Sequence, residues 1–272
     1  MSKLVIVYHR QPYEEAVVDG KIVRREHKSP NGIVPTLKSF FANNNGSWVA
    51  WTSKEDTSSA NFEPVVSIND SFGTYRVRRL PLTPEEVTSF YHVTSKEAMW
   101  PILHSFKERY NYDPVDWPTF REVNWKFAQA AAEEADDDGI VWVHDYNLWL
   151  VPRYLRQIRP DLKIAFFHHT PFPSADMFNV LPWRNEIIES LLSCDTIGFH
   201  VPRYTANFLA TAKSLYDVEE LEDIPVRNEF SSVGMALSER RVPTKISYNG
   251  HVIHLSSHPV GVDVEYIEKV AQ

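Results

Sequence analysis

In three stretches of the sequence a short apolar run ends in a histidine, and in the first two the chain continues into further polar or Pro-rich residues. The three stretches cover residues 139–146, 163–173 and 195–200. Apolar runs separated by helical segments are typical of parallel strands buried on both faces of a sheet. Groups just past the carboxyl ends of such strands line the ligand crevice. The sequence therefore predicts a polar small-molecule site at one edge of one sheet. Its side chains are His144, Asp145, His168, His169 and His200.

Asp145 and His169 are the candidate catalytic residues within this group. A carboxylate at a strand end can accept hydrogen bonds from sugar or polyol hydroxyls. Alternatively, Asp145 caps a helix or forms an ion pair in a loop. The turn Thr170–Pro173 contains two prolines, which lock φ and fix the direction of His169. A neutral imidazole can hydrogen-bond a hydroxyl without carrying charge, and the neighbouring His168 then takes a structural role.

Two features near the N-terminus are suited to phosphate groups. Arg10 follows the first predicted strand, and a guanidinium binds a phosphate bidentately. Asn31 and Gly32 open the first predicted helix, where free N–H groups and a close backbone approach favour a diphosphate. The alternative for Gly32 is an ordinary turn, because one glycine at a helix start is a weak signal.

The order of elements that must position these residues predicts a fold of the α/β class. Strands are expected at 3–8 and 48–51, with weaker ones at 64–67 and 75–80 that are antiparallel or at an edge. Asp116 is expected to cap a helix with an apolar face that includes Phe120 and Phe127. Helices at 148–158, 183–193 and 203–214 alternate with the central strands. This alternation indicates a Rossmann-like, doubly wound, mostly parallel sheet.

Other segments are predicted with less regular structure. The charged stretch 11–30 is expected to form a long mobile loop, and residues 215–245 are expected to be largely irregular. Residues 83–109 are expected to be helical in two pieces, broken at Pro101. Asn249-Gly250 suits a type I′ turn, so a hairpin is expected around it.

The bulk composition limits the classes of partner. The chain has 272 residues, 43% of them hydrophobic, and a formal net charge of −8, which disfavours nucleic acid and anionic membranes as partners. Cys194 is the one cysteine, which fits a reducing compartment. The apolar run at the N-terminus is too short for a signal peptide. We therefore expect a soluble cytoplasmic protein, and self-association stays an open alternative.

Two acidic or histidine-rich clusters are expected not to bind metal. Asp136–Asp138 precedes a strand and is interpreted as a solvated acidic loop. His251 and His254 point to opposite faces of a strand, which disfavours zinc. The sequence has no Gly-x-Gly-x-x-Gly run and no Walker loop. No metal and no cofactor are therefore expected.

Six segments of the sequence carry specific motifs, which are Trp142–Leu148, Phe166–Pro173, Phe178–Trp183, Gly198–His200, Trp100-Pro101 and Pro259–Asp263. These segments resemble the trehalose-6-phosphate synthase family of retaining glycosyltransferases. The resemblance covers nearly the whole chain. Within the family, Tyr8–Tyr13 and Ser29–Ile33 are more similar to glucosylglycerol-phosphate synthases of the cyanobacterial type. Asn147 and Trp149 also depart from the trehalose-type pattern.

The resemblance implies the two-lobed glycosyltransferase B-type architecture. Residues 1–258 would be the N-terminal, acceptor-binding domain, and residues 259–272 would begin the linker to a C-terminal nucleotide-sugar domain. Carried over by motif, Arg10 would hold the acceptor phosphate, and Tyr91 with Trp100 would line the acceptor pocket.

The same carry-over gives roles to the remaining candidates. Asp145 would accept hydrogen bonds from the acceptor, His169 would contact the donor glucose, and Asn31 with Gly32 would approach the donor diphosphate. Trp149 is expected to fill part of the space left by a smaller acceptor.

The implied reaction is glucosyl transfer from ADP-glucose (or UDP-glucose) to sn-glycerol 3-phosphate, giving glucosylglycerol phosphate, an osmolyte precursor. Two alternatives remain open. One is synthesis of trehalose 6-phosphate from a nucleoside-diphosphate glucose and glucose 6-phosphate. The other is a lobe that binds the acceptor without catalysis.

Overall fold

The apolar runs of the sequence form one large sheet, with a separate hairpin near the N-terminus. A computed structural model describes residues 1–19, 21–26, 33–41, 46–53, 62–227, 239–259 and 268. The strands are β1 (Ser2–Val7), β2 (Tyr13–Val18), β3 (Lys21–Glu26), β4 (Gly46–Ser53), β5 (Val65–Asp70), β6 (Gly73–Leu82), β7 (Ala135–His144), β8 (Lys163–His168), β9 (Thr196–Phe199), β10 (Glu219–Pro225), β11 (Arg241–Tyr248) and β12 (His251–Ser257).

The helical elements lie between these strands. They are α1 (Ile33–Lys38), α2 (Pro84–Val87), a π-helical segment (Thr88–Met99), α3 (Trp100–Leu103), α4 (Trp117–Glu134), α5 (Val151–Ile158), α6 (Ala175–Phe178), α7 (Arg184–Leu191) and α8 (Pro202–Leu215), with 3₁₀ turns at Ser39–Phe41, Lys107–Arg109 and Tyr146–Leu148. Across the described residues, no helix is both long and apolar enough to cross a membrane.

The large sheet has ten strands in the order β10-β11-β12-β9-β8-β7-β1-β4-β6-β5. The seven strands from β12 to β6 pair in parallel. The edge strand β5 and the inner strand β11 run antiparallel to their neighbours. The predicted α/β class and mostly parallel sheet are confirmed. All seven parallel strands end at the same edge of the sheet, so the polar residues that follow them meet there.

The core explains why α4 forms where the sequence predicts it. The Asp116 side chain accepts a hydrogen bond from the Thr119 N–H at 3.2 Å and caps the helix. Phe120, Val123 and Phe127 are fully buried in the main core. The apolar face of α4 therefore packs on the sheet and holds in place the strands that carry the predicted site residues.

The structure corrects the predicted loop at 11–30, since Tyr13–Val18 and Lys21–Glu26 pair as the antiparallel hairpin β2–β3. Its charged side chains pair across the strands. Arg24 contacts Glu15 at 3.0 Å, and the buried Arg79 contacts Glu15 at 3.2 Å. Tyr13 is also buried. Opposite charges on facing positions stabilise a strand pair, but they hide the apolar alternation on which a strand prediction depends.

The predicted helix break at Pro101 is wrong, because the helical segment continues through it to Leu103. Pro101 lies in the first turn of α3, where a missing N–H is tolerated. The preceding segment uses wide π turns, and the Trp100 N–H bonds to the Ser95 carbonyl. The helix thus changes its hydrogen-bonding pattern at the proline instead of ending.

Two further predictions near the ends of strands are corrected and one is confirmed. Residues 215–245 contain β10 and the start of β11, and Asp136–Asp138 belong to β7 itself. The hairpin around Asn249 and Gly250 is confirmed. Both residues have positive φ, 50° and 78°, as a type I′ turn requires.

Candidate active site

Residues that follow three neighbouring strands line one pocket of about 280 Å³. Tyr8–Arg10 come directly after β1, Asp145 after β7, and His169 after β8. The π-helical segment and α3 add a further wall, built from Tyr91, Lys96 and Trp100. The structure therefore brings together five of the candidate site residues, which are Arg10, Tyr91, Trp100, Asp145 and His169.

Arg10 and Tyr91 join the two walls of the pocket. The Arg10 Nη2 donates a hydrogen bond to the Tyr91 hydroxyl at 3.0 Å. This bond raises the pKa of Arg10 against the opposing effect of its partial burial. The Trp48 indole donates to the Arg10 carbonyl at 2.9 Å and fixes the backbone there. A fixed guanidinium is suited to bind a phosphate oxygen.

Asp145 is buried and held in an unusual backbone conformation. Its φ is 69° and its ψ is 164°, a region that side-chain-bearing residues rarely adopt and that is often associated with function. Its Oδ1 accepts from the Tyr146 N–H at 3.0 Å, the Thr170 N–H at 3.3 Å and the Thr170 hydroxyl at 3.2 Å. Asp145 also caps the 3₁₀ turn at Tyr146–Leu148, so the capping role and a place in the pocket coexist.

Burial raises the pKa of Asp145 to about 6, although the hydrogen bonds from Tyr146 and Thr170 oppose the shift. At pH 7 the side chain is therefore mostly ionised, but it is poorly solvated. A carboxylate in this state accepts hydrogen bonds from substrate hydroxyls readily, because little water competes for it.

His144 and His169 contact each other across β7 and β8. The His144 Nδ1 lies 3.1 Å from the His169 Nε2, so one ring donates and the other accepts. Burial is the main cause that lowers the pKa of His169 to about 3, and the pKa of His144 is lowered for the same reason. Both rings are neutral at pH 7. Within the described part of the chain, the buried His169 Nδ1 has no hydrogen-bond partner.

Like His144, the other two predicted histidines do not line this pocket. His168 is fully buried and its Nδ1 bonds to the Thr170 carbonyl at 2.8 Å, while its ring packs on Phe172 and Phe199. This is the structural role expected for it. The His200 ring lies 5.6 Å from that of His169, between centroids, and does not line the pocket.

Several residues that line the pocket were not among the predicted site residues, and Tyr8, His9 and Lys96 are three of them. His9 is buried, and neither ring nitrogen has a partner among the described residues. Burial, with the Arg10 and Lys96 cations, lowers the pKa of His9 to about 3. Tyr8 and His9 directly precede Arg10 at a strand end, and this position could have identified them.

Trp149 does not lie where the sequence interpretation puts it. It is fully buried, with its ring 5.7 Å from that of His168 and 5.6 Å from that of Phe178. It packs behind Tyr146, at 5.9 Å between ring centroids, and is not part of the pocket wall. Its size therefore affects the pocket indirectly, through neighbours such as Tyr146.

Two other sets of predicted residues complete this account. Asn31 and Gly32 lie outside the described residues. The His251 Nε2 lies 2.9 Å from the Cys194 carbonyl. Among the described residues, no group of three potential ligands is placed to hold a metal ion.

Comparison with known proteins gives the family. A model of glycosyltransferase family 20 matches residues 2–272. The chain belongs to that family. It is 52% identical over 270 residues to a glucosylglycerol-phosphate synthase from Synechocystis sp., covering 99% of this chain and 54% of the relative. It is 47% identical to one from Pseudomonas anguilliseptica, covering 98% of this chain and 36% of the relative.

Trehalose-type relatives are more distant. The chain is 36% identical to a trehalose-6-phosphate synthase from Mycolicibacterium smegmatis, which it matches over 85% of its own length and 44% of the relative's. It spans about half the length, or less, of these curated relatives.

Solved structures support the fold. A trehalose-6-phosphate synthase structure from Burkholderia xenovorans in complex with glucose-6-phosphate superposes with a TM-score of 0.71 at 21% identity, covering 98% of this chain and 52% of that one. The E. coli structure bound with UDP-2-fluoro glucose gives 0.71 at 22%, covering 98% and 50%. The fold of this chain is therefore that of one half of such proteins.

Proposed function

We propose that this chain is the acceptor-binding half of a retaining glucosyltransferase that makes glucosylglycerol phosphate. The donor would be ADP-glucose, or UDP-glucose, and the acceptor sn-glycerol 3-phosphate. The observation that carries the proposal is that Arg10, Tyr91, Asp145 and His169 converge on one small pocket. The identity of about 50% to glucosylglycerol-phosphate synthases over nearly the whole chain supports this acceptor.

The chemistry of the pocket suits a phosphorylated polyol. Arg10 supplies a cation with fixed geometry for the phosphate. Asp145, which is ionised and buried from water, supplies a hydrogen-bond acceptor for the hydroxyl groups. Trp100 and Tyr91 supply faces on which the carbon skeleton can pack. Each part of the acceptor thus has a matching group.

The charge and number of the catalytic groups favour a reaction in which the acceptor attacks the sugar on the same face that the leaving diphosphate departs from. His169 is neutral, so it supports the developing charge of the sugar by hydrogen bonding instead of donating a proton. Among the described residues that line the pocket, Asp145 is the one carboxylate, whereas a glycosyl-enzyme route needs two. We therefore propose that the leaving diphosphate takes the acceptor proton and that the protein mainly positions the reactants.

We also propose the domain boundaries that the family resemblance implies. Residues 1–258 form the acceptor-binding domain and residues 259–272 begin a linker to a nucleotide-sugar domain. The match to about half the length of two glucosylglycerol-phosphate synthases supports this division. Contacts with the donor are proposed for His169, and for Asn31 and Gly32 by motif alone. The buried thiol of Cys194, the one cysteine, supports a cytoplasmic location.

Product analysis tests the proposal. A full-length protein that contains this sequence is incubated with ADP-glucose or UDP-glucose, and with sn-glycerol 3-phosphate or glucose 6-phosphate. We expect glucosylglycerol phosphate with the α-configuration, identified by NMR. Trehalose 6-phosphate as the main product would contradict the proposed acceptor. Binding of the acceptor with no product from either donor would leave only an acceptor-binding module.

A further inference from the structure

The π-helical wall of the pocket carries a cation, Lys96, that has no role in the proposed reaction so far. Its Nζ lies 4.6 Å from the ring centroid of Trp100 and 5.3 Å from that of Tyr91. Cation–π contacts of this kind hold an ammonium group over aromatic faces. Although Lys96 is an exposed residue, its charge is therefore placed at the pocket.

The unusual helix explains this placement. Tyr91 and Lys96 are five positions apart, which is the hydrogen-bonding step of a π turn. In an α-helix, positions three and four apart share a face instead. The segment Thr88–Met99 is π-helical over 12 residues. Tyr91, Lys96 and Trp100 consequently lie on one side and face the end of β1.

Lys96 and Arg10 both contact Tyr91, Arg10 at the hydroxyl and Lys96 over the ring. Arg10 Nη2 donates to the Tyr91 hydroxyl at 3.0 Å. Burial of Tyr91 tends to raise its pKa, but the hydrogen bond and charge of Arg10 and the charge of Lys96 together lower it. Two cations thus lie close to one point in the pocket wall.

The charges of this part of the pocket are not balanced by acidic side chains. Within the described residues, neither Arg10 nor Lys96 forms an ion pair with a carboxylate. Of the described residues that line the wall, Asp145 is the one with an acidic side chain, and its Oδ1 is engaged by Tyr146 and Thr170. A phosphate monoester carries a charge of about −1.5 to −2 near pH 7, which matches two cations better than one.

We propose that Lys96 is a specificity-determining residue that, together with Arg10, clamps the dianionic phosphate monoester of the acceptor. The inference rests on the proposed function and deepens it, because it names the charge class that the pocket selects. The planar guanidinium of Arg10 gives the phosphate a direction, and the ammonium of Lys96 adds a point charge. Acceptors with a single negative charge bind less tightly.

The test is an NMR-detected titration of the chain with three ligands. These are sn-glycerol 3-phosphate, glucose 6-phosphate and the singly charged sn-glycerol 3-sulfate. We expect the wild-type chain to prefer the phosphate over the sulfate. Lys96→Gln should weaken binding of glycerol 3-phosphate roughly tenfold, as expected for a lost hydrogen bond to a charged group. It should weaken sulfate binding less, so the preference shrinks. Lys96→Arg should keep most of it.

A matched control and the separate outcomes make the test decisive. Lys163→Gln removes an exposed lysine at the opposite end of the parallel strands and should leave binding unchanged; thermal unfolding shows that each variant is folded. Glycerol 3-phosphate binding that does not depend on Lys96 would overturn this inference and leave the proposed function standing. Lys96-dependent binding of glucose 6-phosphate alone would support the inference and contradict the proposed acceptor. A wild-type chain that binds neither phosphate would contradict both.

Discussion

Buried polar groups differ in their hydrogen bonding between the two ends of the parallel strands. At the amino end, Ser2, Ser47 and Glu134 are buried and bonded to each other. The two serine hydroxyls lie 2.8 Å apart, and Ser47 donates to Glu134 at 2.8 Å. Arg76 adds an ion pair with Glu134 at 3.4 Å. Every member of this group has a protein partner, so its role is to join β1, β4 and α4.

At the carboxyl end, by contrast, several buried polar atoms have no protein partner among the described residues. Neither ring nitrogen of His9 is bonded among the described residues, nor is the Nδ1 of His169. Asp145 adds a strained backbone and a raised pKa. Unpaired buried polar atoms lower the free energy of unfolding. Their concentration at one end indicates that a ligand, and not the fold, is their partner.

The largest effect expected from this contrast is on catalysis. In the full-length protein, His169→Ala should lower turnover by about two to three orders of magnitude, as for loss of a group that stabilises developing charge. The thermal unfolding midpoint should change little, because the ring has one hydrogen bond, to His144. Steady-state kinetics and calorimetry measure the two effects. Near-normal turnover would remove His169 from the mechanism.

Asp145→Asn should raise stability while it abolishes acceptor binding. The folded-state pKa of about 6 lies above the ordinary value of 3.8. The folded protein therefore holds the proton more tightly than the unfolded chain. As the pH rises from about 4 to about 6, ionisation of Asp145 therefore lowers the free energy of unfolding progressively. Above about pH 6 this loss is complete. The shift corresponds to about 3 kcal/mol.

Denaturant unfolding of the Asp145→Asn variant and of wild type at several pH values measures this effect. At pH 7 the variant should be more stable by about 2–3 kcal/mol, and the difference should vanish below about pH 4. Asp113→Asn, at an exposed position, is the control and should change the free energy of unfolding by less than about 0.5 kcal/mol. A variant that is less stable than wild type at pH 7 would contradict the role of burial.

Ser47→Ala should have the smallest effect of these variants. Unlike the substitutions at the carboxyl end, it should change stability and leave acceptor binding unchanged. It removes two buried hydrogen bonds at the amino end and should lower the free energy of unfolding by about 1–2 kcal/mol. Titration with glycerol 3-phosphate should give the wild-type affinity. A change in affinity as large as the change in stability would show that the two ends are not independent.

The site residues at the carboxyl end could be predicted because the pattern that marks them lies within a short stretch of sequence. Asp145 and His169 each follow an apolar run, and a parallel sheet brings such positions together without any knowledge of loops. The class of the sheet follows from the same runs. Arg10 is found in the same way, since it stands just after the first strand.

Other parts were missed because their structure depends on distant partners. The hairpin β2–β3 is held by charge pairs, one of them with Arg79 of β6, and carries little apolar alternation. Lys96 reaches the pocket through a π-helical segment that no spacing rule for α-helices anticipates. Trp149 is buried because it packs against Phe178 and His168. Its position in the motif does not show this packing, so the prediction that it fills part of the acceptor space is wrong.

The central claim is that the unpaired groups at the carboxyl end form one acceptor site. NMR of the histidine rings during titration with glycerol 3-phosphate tests it most directly, since the chain has 11 histidines spread over both kinds of region. We predict that the ring signals of His9 and His169 shift together with one binding constant, while those of His251 and His254 stay fixed. Signals of His9 and His169 that stay still at saturation would contradict the account.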